Sequence, residues 1–108
     1  MTRPGAATDS QRLLIEACLD KGVSFFWRGP GTLLIERSGL DAILQVVNSA
    51  GATVLGFDGF EMESTDIHPR LDLIFDASAR AEVRDPLSAI LDWPANIWVD
   101  VALRVQEQ

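Results

Sequence analysis

The chain has 108 residues, 47% of them hydrophobic, with 16 acids against nine bases and a net charge of −7. A chain of this length forms one domain that buries roughly 65% of its unfolded surface, so neither a metal nor a disulfide is required to hold it. The isoelectric point near 4.4 argues against nucleic acid and against an anionic membrane, since Lys and Arg carry both kinds of binding, and the single Cys18 excludes an internal disulfide and a multi-cysteine zinc site.

No basic start leads into an apolar stretch, and no run of about 18 apolar residues occurs. Neither a secretory signal nor a spanning helix is therefore expected, and the cytoplasm is the default location. Residues 1–8 read as a flexible tail ahead of a globular domain over 9–105, with 106–108 fraying. Asp9 or Ser10 is suited to cap a first helix over about 10–21. Leu14 and Cys18 share its apolar stripe, and Gly22 supplies the stop. Residues 23–28 and 32–36 read as strands on either side of a Gly29-Pro30-Gly31 turn, which makes a hairpin.

Ser38 opens the next predicted helix, with Asp41 at capping-box spacing. Leu40, Ile43, Leu44 and Val47 form its stripe, Ala50 continues it, and Gly51 ends it. A buried strand over 52–57 follows, then a bend at Asp58-Gly59. From there Phe60, Met62 and Ser64 point one way and Glu61, Glu63 and Thr65 the other. Thr65–Pro69 reads as a loop. In the following strand Leu71, Leu73 and Phe75 share one side, and Asp72, Ile74 and Asp76 the other. Asp85-Pro86 is a good helix start; Leu87, Ile90 and Leu91 form its stripe, and Trp93-Pro94 ends it. The stretch 78–84 is a loop or an extra helical turn. In the last strand Ile97, Val99, Val101 and Leu103 face the core, while Trp98, Asp100, Ala102 and Arg104 face away.

The predicted order is α-β-β-α-β-β-β-α-β. It implies an α+β fold: a single two-layer domain with a mixed or antiparallel sheet of about five to six strands and about three helices mainly on one face. The second sheet face carries Phe26, Ile74 and Trp98 among its charges, which prepares it for a partner or for a second copy of the chain.

Charge is unevenly spread. Residues 56–76 hold Asp58, Glu61, Glu63, Asp66, Asp72 and Asp76 against Arg70 alone, whereas residues 1–55 balance five acids with five bases. Such a concentration attracts a basic partner or is the solvated side of a sheet. Catalytic signatures are sparse. His68 is the only histidine, so a two-histidine metal site is impossible, and Asp66-Ile67-His68-Pro69-Arg70 supplies no nucleophile. Cys18 sits on an apolar stripe and reads as a small buried hydrophobe. The glycines match neither a phosphate loop nor a dinucleotide fingerprint, and no nucleophile motif occurs. No cofactor is implied. Glu61 and Glu63, about 6.5–7 Å apart on one strand face, are the one enzyme-like feature. With Asp72 they would hold a cation or divide acid and base roles in a concave site.

In size, acidity and mixed α/β order the chain resembles the small bacterial immunity proteins that block cognate toxins, and many short uncharacterised bacterial proteins. No family motif accompanies the resemblance, so no residue role is carried over. It implies a non-enzymatic interaction domain that neutralises a basic protein, with Asp58, Phe60, Glu61, Glu63, Asp66, Asp72 and Trp98 as the expected contact residues. Trp27 and Trp93 are weighed as core or edge packing. Two other readings stand beside it. One is a small-molecule or cation-binding domain with a pocket lined by Phe57, Phe60, Phe75 and Trp98. The other is a carboxylate-dependent, hydrolase-like enzyme with one raised pKa.

Overall fold

A computed structural model describes residues 8–28, 32–64, 66–77 and 86–105. Among them the order is α1 (Asp9–Lys21), β1 (Phe25–Trp27), β2 (Leu33–Glu36), a 3₁₀ turn (Arg37–Gly39), α2 (Leu40–Ser49), β3 (Thr53–Glu63), β4 (Asp66–Asp76), α3 (Pro86–Leu91) and β5 (Trp98–Arg104). The fold is α+β, with five strands in one antiparallel sheet of order β1-β2-β5-β3-β4. Two hairpins, β1–β2 and β3–β4, are thus joined by the last strand, which slots between β2 and β3.

The described helices lie on one side of this sheet. Leu14, Ala17 and Cys18 of α1, the α2 stripe Leu40, Ile43, Leu44 and Val47, and Ala89 and Ile90 of α3 bury against Leu33, Ile35, Phe57, Phe75, Val99, Val101 and Leu103. These strand residues alternate in sequence, as a two-residue period requires when one face is covered. Phe57 sits at the centre. Its ring lies 5.3 Å from that of Phe75 and 6.1 Å, edge-on, from that of Trp93, both within the range of favourable aromatic pairs.

The ends of α1 follow from local chemistry. Thr8, not Asp9 or Ser10, is the cap. Its hydroxyl accepts from the Gln11 amide at 3.1 Å, and the Gln11 side chain accepts from the Thr8 amide at 3.3 Å, a reciprocal capping box. Thr8, the last residue of the expected tail, thus caps α1, and residues 1–7 and 106–108 lie outside the described residues. Gly22 closes the helix with φ 69°, the left-handed conformation that glycine adopts without a steric penalty. Ser38 does not cap α2. The 3₁₀ turn intervenes, and the Leu40 amide donates to the Arg37 carbonyl, so that donor needs no side-chain partner.

Three strand expectations change. The bend at Asp58-Gly59 does not divide β3, so one long strand replaces two. Asp58 pairs with Ile74 and Gly59 with Arg70, which leaves residues 71–73 as a bulge on β4 with no partner on β3. A bulge bends its strand and increases the local twist, and regular pairing resumes on either side of it. Residues 66–69 are strand, not loop. Pro69 is tolerated because β4 is an edge strand, where a missing N–H costs no ladder bond. Leu71, expected beside Leu73 and Phe75, falls in the bulge and is 80% exposed. In α3, Ala89 and Ile90 are buried while Leu91 is 67% exposed; the side chain of Leu87 lies outside the described residues, as do the Gly29-Pro30-Gly31 turn, the 78–84 stretch, Thr65 and Asp85.

Candidate functional site

The register places the acidic residues in two groups. Pairing between β3 and β5 ends at Phe60 with Trp98, whereas β3 and β4 continue to Glu63 with Asp66. Residues 61–64 and 66–68 therefore form a two-stranded arm beyond the end of β5. Glu61 lies opposite His68 and Glu63 opposite Asp66, all four exposed and on the same side of the arm by strand alternation. Ser64, with φ 57°, makes the tight reversal at its tip. His68 is thus a strand residue on the arm.

Arg70 neutralises part of this charge. Its Nη1 donates to Glu61 Oε1 at 2.6 Å, and its Nε and Nη2 donate to the two oxygens of Asp72 at 2.9 and 2.8 Å. The Asp72 contact is a fork-on-fork pair. Hydrogen bonding from Arg70 holds the Asp72 carboxyl below its usual range, and the same bonds raise the guanidinium pKa. Asp72 and Glu61 are therefore tied to one another through Arg70 across the bulge. They are the carboxylates that a cation site or an acid–base pair would need. Among the described residues no group of three His, Cys, Asp or Glu side chains is arranged to hold a metal ion.

The second group lies on the sheet face that bears none of the described helices, hereafter the helix-free face. Asp58 stands directly opposite Asp100 across β3 and β5, and Ile74 stands opposite Asp58 across β4. The pairing of Ile35 with Val99, continued by one residue, sets Leu34 beside Asp100, and Phe26 pairs with Leu34. One row thus crosses all five strands: Phe26, Leu34, Asp100, Asp58, Ile74. A second row beside it runs Glu36, Trp98, Phe60, Pro69. Two opposed carboxylates sit at the centre of this face, with Phe26, Ile74, Trp98 and Phe60 around them and Glu36 and Asp76 in the rows on either side. Ile74 is 55% exposed, whereas Leu34 is 1% exposed although it lies outside the helix-side core. Arg28 rests at the rim, its guanidinium carbon 5.3 Å from the centre of the Phe26 ring.

Like charges directly opposite on neighbouring strands repel. The Asp100 carboxyl is pushed above its ordinary value, first by burial and then by the charge of Asp58. Burial disfavours the charged form, and the neighbouring carboxylate disfavours it further.

Of the seven expected contact residues, the fold brings Asp58, Phe60 and Trp98 together on the helix-free face. Glu61, Glu63 and Asp66 belong to the arm, and Asp72 to the bulge beside it. Asp100 was missing from the expected set. Alternation in the last strand already places it with Trp98, but only the insertion of β5 beside β3 brings it to Asp58. The four aromatics of the pocket reading do not share one space, since Phe57 and Phe75 lie in the helix-side core while Phe60 and Trp98 lie on the opposite face. A different depression of about 500 Å³ lies between α2 and the start of β3, lined in part by Leu44, Val47, Val54 and Pro86; none of its described lining residues is ionisable.

Trp93 is buried in the core, and Trp27 on the edge strand β1 is 39% exposed. Burial pushes the Cys18 thiol up to about 11, with the Glu36 charge adding to the effect, which fits a packing role. No helix among the described residues is long and apolar enough to cross a membrane. No protein-family model, no curated protein and no solved structure matches this chain.

Proposed function

We propose that this chain is a non-enzymatic protein-interaction domain that binds a basic protein, in the manner of an immunity-type inhibitor acting in the cytoplasm. The observation that carries the reading is the helix-free sheet face, where aromatic and aliphatic side chains surround two opposed carboxylates. Apolar area supplies affinity, and uncompensated negative charge selects a cationic partner and speeds its approach. The carboxylates of the hydrolase-like reading are differently disposed, since Glu61 and Asp72 are engaged by Arg70.

The test is affinity capture at low salt from the source cells, followed by association kinetics with the purified partner. A basic protein bound at one-to-one stoichiometry, with an association rate that falls steeply as ionic strength rises, is the expected result. Capture of only neutral or acidic proteins, or a salt-independent rate, contradicts the reading.

A further inference from the structure

We infer that the docking surface is the helix-free sheet face and that its occupant is a segment of a basic protein bringing an Arg or Lys side chain flanked by apolar ones; this rests on the basic-partner reading above. The face is anionic at its centre, with aromatic and aliphatic side chains beside the pair. Asp100 and Asp58 are adjacent, with Phe26 and Ile74 at the ends of their row, the buried Leu34 within it, and Glu36, Trp98 and Phe60 in the row beside them. An apolar occupant alone would cover two like charges without compensating them, which is strongly unfavourable. A cation placed across the pair removes their repulsion as the face is buried. A second copy of this chain, laid face to face about a two-fold axis through the centre, would bring two more carboxylates to the same place. Charge complementarity therefore selects a cationic partner over self-association at neutral pH.

The arm is the weaker anchor. Glu61 is tied to Arg70, and Glu63 and Asp66 sit exposed at the hairpin tip, where charge is screened by solvent. The groups that bear on the central pair are Arg28 over Phe26 at the rim, Glu36, opposite Trp98 in one neighbouring row, and Asp76, opposite Gly56 in the other. None of the three lies in the row between Phe26 and Ile74, and the two carboxylates add to the negative charge of the face.

The experiment is an amide-shift titration of the whole chain with acetyl-Arg-Trp-Arg-amide at low salt, with acetyl-Ala-Trp-Ala-amide as the uncharged control. Two double variants receive the same titration, D58N/D100N on the face and E63Q/D66N on the arm. They change net charge equally, so a difference between them reads position. The expected shifts fall on Asp58, Ile74, Trp98 and Asp100. D58N/D100N is expected to weaken the arginine peptide about fivefold, and E63Q/D66N to leave it within about twofold.

Shifts confined to 61–68 would overturn the face as docking surface and leave the basic-partner reading standing. Equal binding of the alanine peptide to the face would overturn the cationic occupant. Concentration-dependent shifts of the face without peptide would assign it to a second copy. No shift at any residue overturns both this inference and the basic-partner reading.

Discussion

Asp100, when charged, contributes unfavourably to the stability of the chain. Its carboxyl takes up a proton at higher pH in the folded protein than in the unfolded one, where the value is about 3.9. A group with a raised folded pKa destabilises the fold when charged, and the deficit is recovered as pH falls through the raised value. D100N is therefore expected to melt above the parent near neutral pH, by about 0.2–1 kcal/mol. Its lead narrows as the buffer is acidified, and a lead that is absent or constant across pH would argue against the repulsion. Arg37 works in the opposite sense. Its Nε donates to the Ile90 carbonyl at 2.7 Å, part-buried in the last turn of α3, where a cation also favours the helix C-terminus. Arg37→Ala is expected to cost about 1–3 kcal/mol in urea unfolding, and Arg37→Lys, which lacks the Nε donor, to recover only part of it. Cys18, with its thiol raised by burial, is expected to resist iodoacetamide in the native protein and react promptly in urea. Stoichiometric native labelling would contradict its placement in the core.

At the scale of the element, what was legible in the sequence is what depends on local periodicity. The stripe Leu40, Ile43, Leu44, Val47 and the alternation Ile97, Val99, Val101, Leu103 bury as their spacing requires, because a helix turn or a strand pleat alone decides which residues share a side. The β4 bulge was not legible. It arises from the slip between Asp58 and Gly59, which depends on two strands together, and it is what moved Leu71 out of the core. Glycine makes the close approaches possible. A Cβ at Gly56 would stand 2.6 Å from the backbone carbonyl oxygen of Phe75, which cannot rotate away, so Gly56→Ala is expected to lose about 1–3 kcal/mol. Unchanged stability would mean that β3 and β4 are not packed at this register. The last strand has the largest structural consequence. β5 alone joins the two hairpins, and isolated two-stranded hairpins are marginal. A chain ending before Trp98 is expected to lose its cooperative thermal transition, and a truncated protein that still melts cooperatively would contradict the topology.

Across the whole molecule, the concentration of acids between residues 56 and 76 was legible, but its division was not. Pairing distributes those acids between an arm, an Arg70 clamp and a sheet centre. The residue that completes the centre, Asp100, comes from the other end of the chain. Its side of β5 follows from alternation; its neighbour follows only from strand order, which no local pattern encodes. The proposed recognition accordingly rests less on the size of the negative charge than on where apolar surface lies beside it. The most direct measurement is the affinity of the basic protein recovered at low salt for the D58N/D100N and E63Q/D66N variants, titrated side by side by calorimetry at fixed ionic strength. The account predicts that the face variant binds markedly more weakly than the parent, while the arm variant, matched in net charge, binds nearly as well. Equal losses in the two variants, or a loss confined to the arm variant, would contradict it.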